Sequence, residues 1–332
     1  MKSATKMISR RAMVAGMGLM AFPTSSWSKD KLVLKMGTLG STEYFYYKGA
    51  KRMADEVATK SDGRVEIQVF PNQQLGSERD MVEGMQLGTL DLAVVNTPLL
   101  AGFDSRFQLF DMPFLFNDWN HVSAVLSSQI GSDLLKSLES KSLKAFAFST
   151  AGFRHVLNYK RPVQSPSDIS GLKIRTLDNP VHVAIMNAMG ANATPMQYSE
   201  VAPALRQRTV DGLDSPLAAV LTEKFYETNQ HLSLTGHVFT GVVYLMSIKR
   251  FLGLPEHLQK IMAEAAKVGA DFATEQHNSF EAEASEILTT RHNMKFNKVD
   301  TAAFRARMEP VFARFQDRVG KPLIEKVRGM AA

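Results

Sequence analysis

From Leu32 onward the apolar positions fall into short blocks whose period alternates between two and about 3.6 residues. Leu32 to Met36 (LVLKM) reads as a strand, and Gly37 to Thr42 reads as a loop. Glu43 to Ser61 then places Tyr47, Ala50, Met53, Ala54 and Val57 at helical spacing. After the turn Ser61-Asp62-Gly63, Val65 to Phe70 alternates as a strand. Glu78 to Leu87 reads as a helix, and Leu90 to Val95 as a buried strand. Strands alternating with helices predict an α/β architecture with mostly parallel pairing.

A second region repeats the pattern. Ala145 to Phe148 and Gly171 to Arg175 read as strands, and Val181 to Met189 as a helix. Ser199 to Arg206 reads as a further helix, opened by Ser199 with Glu200 in its first turn, where the helix dipole favours an anion. Val210 to Asp214 ends in a polar turn, and Val238 to Ser247 is a strand again. Pro255 begins a helical pattern that runs to about Arg291, too long for one small domain. No clean linker interrupts the chain, so its domains are expected to be joined by several short crossings.

The ends change this picture. Lys2, Lys6, Arg10 and Arg11 precede the apolar run Ala12 to Phe22, and Ser26-Trp27-Ser28 supplies small residues at the −3 and −1 positions of a cleavage site. This is the pattern of a signal peptide over residues 1–28, too short for a membrane span. Ser9-Arg10-Arg11 also fits a twin-arginine signal, so both export routes stay open. Removing residues 1–28 lowers the formal charge of the 332-residue chain from +6 to +2, which leaves no basic excess for nucleic acid. The sequence has no cysteine, so disulfides, thiolate metal sites and a thiol nucleophile are excluded.

Motifs of catalysis are missing. There is no phosphate-binding Gly-x-x-x-x-Gly-Lys loop, no dinucleotide Gly-x-Gly-x-x-Gly and no Gly-x-Ser-x-Gly elbow. The eight histidines are scattered, none at metal-ligand spacing. Two arginines carry the candidate chemistry instead. Arg154 follows an apolar strand within Ala151-Gly152-Phe153-Arg154, and Arg175 ends the strand Leu172 to Arg175. Ligands of α/β sheets sit at such strand ends, and a guanidinium offers two parallel donors to a carboxylate. As pattern alone, both also fit ordinary half-exposed strand-end cations.

Five blocks of the chain go further. They are VFPNQQLGSERDMVEGMQLGTLDLAVV (Val69 to Val95), FDMPFLF (Phe110 to Phe116) and AGFRHVLNYKRPVQSPSDISGLKIR (Ala151 to Arg175). The other two are GANATPMQYSEVAPALRQRTVDGLDSP (Gly190 to Pro216) and KFYETNQHLSLTGH (Lys224 to His237). In this order they resemble the solute-binding proteins of TRAP transporters, the dicarboxylate-binding-protein-like receptors, over essentially the whole mature chain.

The resemblance implies a two-lobe, type II-like periplasmic binding protein with hinge strands and a long domain-spanning helix. Residues 29–150 with about 241–280 would form lobe I, and residues 151–240 with about 281–332 lobe II. It implies a periplasmic receptor, not an enzyme, that closes over a small organic acid and delivers it to a TRAP membrane permease, with no cofactor and no metal. By match, Arg175 would take the ligand carboxylate, Arg154 would assist, and the turn carrying Asp214 and Ser215 would complete the clamp. Ser215 stands where asparagine is common, and Asp214 where glutamate is usual. Glu78, Asn96, Tyr198, Asp178 and Phe153 complete the candidate site. The hydroxyl-matching groups Glu78, Asn96, Asp178 and Ser215 point to a sugar acid, a uronate or aldonate. A C4 dicarboxylate is the alternative within the family, and an exported sugar-acid enzyme the alternative outside it.

Overall fold

The computed structural model describes residues 31–331, and the expected signal segment and its cleavage site near Ser28 lie outside them. Nine strands follow in chain order: β1 (Leu32–Thr38), β2 (Val65–Phe70), β3 (Leu92–Asn96), β4 (Leu143–Asn158), β5 (Lys173–Thr176), β6 (Asn192–Pro195), β7 (Gly212–Pro216), β8 (His231–Ser247) and β9 (Lys295–Lys298). They make one sheet in the order β2-β1-β3-β8-β4-β7-β5-β6, with β9 beside β8. β1 runs parallel to β2 and β3, and β5 parallel to β6 and β7. The expected parallel α/β pairing therefore holds within each half. The middle corrects it, because β3–β8, β8–β4 and β4–β7 are antiparallel.

β4 and β8 join the halves. The end of β8 pairs with β3 (Asn96 opposite Val242), while its start pairs with β9. The end of β4 pairs with β7 (Arg154 opposite Pro216). Ala145 to Phe148 and Val238 to Ser247 are thus pieces of strands 16 and 17 residues long. Polar and small residues such as Thr150, Gly152, Ser233, Thr235 and Gly236 interrupt the apolar pattern and hid the rest. The β4–β8 register shifts between Thr150 and Gly152 and again between Arg154 and Val156. Gly152 has φ +92°, and a Cβ there would fall 2.6 Å from His277 Nε2, so the bulge requires glycine.

Both faces of the sheet are covered, as its two-sided apolar strands require. On one face the helix Phe45–Lys60 packs against the helix Glu256–Thr290, the long helix expected from Pro255 onward. Residues 97–142, to which the pattern assigns no element, form short helices on the other face. These include a 3₁₀ turn over Ser105–Asp111 and helices over Trp119–Ser127 and Gln129–Ser137. Among the described residues no helix is long and apolar enough to cross a membrane.

Two local expectations fail instructively. The polar run ending at Pro216 is not a turn. Gly212–Pro216 is a wholly buried strand between β4 and β5, and Asp214 survives there because Arg154 neutralises it. The helix expected to open at Ser199 begins at Tyr198, with Gln197 as its cap and Glu200 accepting from the Gln197 N–H at 3.1 Å.

Candidate functional site

A cleft lies where the two parallel halves meet the shared strands. The loop after β1 brings Leu39 and Tyr44 to it, and the first turn of the helix Phe45–Lys60 brings Tyr46. Ser77 and Asp80 form a capping box, which fixes the start of the helix Glu78–Leu87 and delivers Glu78 to the same wall. The end of β3 adds Asn96. From the other half come Arg175 on β5, Asp178, Tyr198 and Ser215. β4 and β8 contribute Arg154 and Thr240.

The first wall is tied to itself. Glu78 Oε1 accepts from the Asn96 N–H at 2.6 Å, and the Tyr46 hydroxyl donates to Asn96 Oδ1 at 2.5 Å. Burial raises the Glu78 pKa, and the Asn96 hydrogen bond and the positive charge of Arg175 offset only part of that rise. Contacts also cross between the halves. The N–H and hydroxyl of Ser41, in the loop after β1, both donate to Glu223 Oε1 at 3.0 Å. Asn179 Nδ2 donates to Pro98 O at 2.9 Å and to Asp111 Oδ2 at 3.1 Å.

The two arginines are both buried, which removes the half-exposed reading. Arg154 Nε donates to Asp214 Oδ2 at 2.6 Å, and its Nη2 donates to the Asp214 carbonyl. His182 and His237 stand 3.8 and 3.6 Å from the same carboxylate oxygen. Burial alone would raise the Asp214 pKa, but Arg154 and the two histidines hold it well below the usual carboxylate range. Burial likewise opposes charge on His182, yet Asp111, 3.1 Å from its Nε2, and Asp214 raise its pKa.

Arg175 differs. Its Nη2 donates to Met196 O at 2.7 Å, its Nε is buried without a partner, and among the described residues no carboxylate lies within ion-pair distance. Burial, followed by the charge of Arg154, lowers its pKa to about 10. A buried guanidinium with spare donors and no counter-ion is built to take an anion. Among the described residues no group of three or more His, Asp or Glu side chains is placed to hold a metal ion.

Seven of the residues singled out in the sequence line this cleft: Glu78, Asn96, Arg154, Arg175, Asp178, Tyr198 and Ser215. Two do not. Asp214 is fully buried as the counter-ion of Arg154. Phe153 is partly buried and packs edge-on to Phe239, with ring centroids 5.6 Å apart, against the core. The sequence reading missed Tyr44, Tyr46 and Thr240. The tyrosine-rich run before Tyr47 was a usable signal for the first two, whereas Thr240 sits inside an apolar strand pattern that hides it.

Comparison with known proteins places this geometry. The family described as bacterial extracellular solute-binding protein, family 7, matches residues 36–318. A solute-binding protein of Verminephrobacter eiseniae is 39% identical over 275 residues, 83% of this chain and 82% of the relative. A TRAP periplasmic solute-binding protein from Polaromonas sp. JS666, bound to D-erythronate, is 36% identical with a TM-score of 0.88, covering 91% of this chain and 100% of that one. Another from Bordetella bronchispeptica, with density assigned as pantoate, is 38% identical with a TM-score of 0.87 over the same shares.

Proposed function

The chain belongs to the family 7 bacterial extracellular solute-binding proteins, and from that premise we propose that it is a TRAP-type receptor for a short hydroxylated monocarboxylic acid. Receptors of this kind are periplasmic substrate-binding proteins. The observation that carries the reading is Arg175, a buried cation whose Nε has no protein partner. A ligand carboxylate supplies the missing counter-ion and two acceptors for the guanidinium fork. Arg154 already has Asp214, so one anionic group, not two, is left to be matched beside the arginine pair. Glu78, Asn96, Asp178 and Ser215 offer acceptors and donors to hydroxyls, as sugar acids require. D-Erythronate and pantoate, the acids of the two structural neighbours, are both short hydroxylated monocarboxylates.

In this reading Asp178, Tyr198, Arg175 and Ser215 belong to lobe II, and Glu78 and Asn96 to lobe I. β4 and β8 are the hinge, bending near the bulge at Thr150–Gly152. Lobe I would then hold residues 29–150 with about 241–280, and lobe II the remainder of the mature chain. The long helix Glu256–Thr290 spans both. Closure around the acid, sealed by contacts such as Ser41–Glu223, produces the form handed to a membrane permease. A thermal-shift panel of erythronate, pantoate, galactonate, galacturonate and succinate tests this. Stabilisation by hydroxy acids is the expected result, and stabilisation by succinate alone would overturn the choice of acid.

A further inference from the structure

The crossing of β4 and β8 beside Arg154 is rich in hydroxyl groups, and almost all of them are spoken for. Ser149 and Thr274 share a hydrogen bond at 3.0 Å, and Thr150 Oγ1 accepts from the Gly152 N–H at 2.8 Å. Thr97 Oγ1 accepts from the Gly241 N–H at 3.2 Å, and Thr235 Oγ1 meets His237 Nδ1 at 2.8 Å. Thr240 breaks the pattern. It pairs with Gly152 across the bulge, it is 1% exposed, and its Oγ1 has no partner among the described residues. It also lines the cleft, as do the two other buried polar atoms there without a partner, Arg175 Nε and Tyr198 Oη.

A buried hydroxyl with no partner is unfavourable, and valine has the same shape without that cost. A threonine at this position therefore makes sense if something that enters the cleft satisfies it. Arg175 Nε calls for an anion. A threonine or tyrosine hydroxyl both donates and accepts, which matches an alcohol and gains nothing from an apolar chain. We infer that Thr240, together with Tyr198, is a specificity-determining pair that hydrogen-bonds hydroxyl groups of the bound acid and so selects hydroxylated acids over their deoxy counterparts. This rests on the reading of the cleft as a hydroxy-acid site. Because Thr240 faces Gly152 at the bulge, it also places a ligand-sensing group on the strand pair that joins the two halves.

The test uses the mature protein with D-erythronate and butyrate as probes, titrated calorimetrically, alongside melting of the ligand-free protein. Thr240→Val should melt at or above the wild-type temperature, because it removes an unsatisfied hydroxyl. It should bind D-erythronate about tenfold or more weakly, because the ligand hydroxyl loses its partner in a closed site. Its preference for D-erythronate over butyrate should narrow by the same factor. Thr240→Ser, which keeps the hydroxyl, should restore most of the affinity, and Tyr198→Phe should behave like Thr240→Val. A lowered melting temperature with D-erythronate affinity unchanged would mark Thr240 as purely structural and overturn the inference. Wild-type protein that binds no hydroxy acid would overturn the function proposed above and this inference with it. Wild type and Thr240→Val binding D-erythronate equally would overturn the inference alone.

Discussion

Arg154 and Arg175 sit on strands separated only by β7, are similarly buried and line the same cleft, yet the protein treats them in opposite ways. Around Arg154 the described residues supply counter-charges, although Asp214 Oδ1 and His237 Nε2 are buried without a hydrogen-bond partner. Asp214 takes the guanidinium at 2.6 Å, His182 is 3.1 Å from Asp111, and Asp111 also accepts from Asn179. Around Arg175 the described residues supply one backbone carbonyl and no carboxylate within ion-pair distance. The first region is an ion-paired cluster in which the guanidinium has its own carboxylate. The second is left short of one anion, which in the function proposed above the ligand supplies. Desolvating a cation and leaving it unpaired weakens the free protein, so the uneven treatment concentrates that cost where a ligand repays it.

Removing Asp214 should break the ion-paired side most severely. Asp214→Ala leaves Arg154 buried without its counter-ion, and loss of one partner of such a pair costs about 3–5 kcal/mol. Chemical denaturation of the ligand-free protein should show that loss. A stability within about 1 kcal/mol of wild type would mean that the cluster is not the ionic anchor described here. On the unpaired side the signature inverts. Arg175→Met should leave the ligand-free protein as stable as wild type or more so, since it removes an uncompensated buried charge. Affinity for the hydroxy acid should fall by a few hundredfold or more, equivalent to ~3–5 kcal/mol. Titration calorimetry and denaturation on the same sample separate the two outcomes, and retained affinity would remove Arg175 from the site.

This contrast was only partly visible in the sequence. The helix Glu78–Leu87 could be bounded to the residue because local chemistry fixes both ends, Ser77 and Asp80 at the start and Gly88 in the left-handed region at the stop. The two arginines could be nominated from their places at strand ends. Nothing local shows that one has a counter-ion and the other does not, because Asp214 lies 60 residues from Arg154 and is brought to it by strand pairing. The same long-range pairing turned Gly212–Pro216 from an apparent polar turn into a central strand. The place of Phe153 beside Arg154 suggests the cleft, but successive side chains of a strand point to opposite faces, and it packs against the core instead. Thr240 had no signal at all, since its defining property is the absence of a partner in three dimensions.

The smallest effect reaches the hinge and carries the comparison into pH. Glu281, on the long helix, resembles Arg175 in being ionisable and short of a partner. Its Oε2 is buried without a hydrogen bond, 3.4 Å from His277 Nε2, and His277 in turn meets Ala151 O at the bulge. Burial lifts the Glu281 carboxyl to about 7 and lowers the His277 pKa, so burial disfavours the charged form of both partners. A folded pKa raised above the unfolded value of roughly 4.3 contributes stability that is fully present below that value and is lost as pH rises through about 7. Asp214 works with the opposite sign, its contribution being lost only as pH falls below the ordinary carboxylate range. The Glu281 contribution should therefore fall between pH 5 and pH 8, by up to about 2 kcal/mol once its partial exposure is allowed for, while His155, His237 and His277, whose pKa values burial lowers, act with the opposite sign at the acidic end of that range. Glu281→Gln should flatten that slope and melt higher than wild type at pH 8, with little difference at pH 5. A difference in melting temperature between wild type and Glu281→Gln that is the same at pH 5 and pH 8 would show that the helix meets the hinge without an unpaired acid.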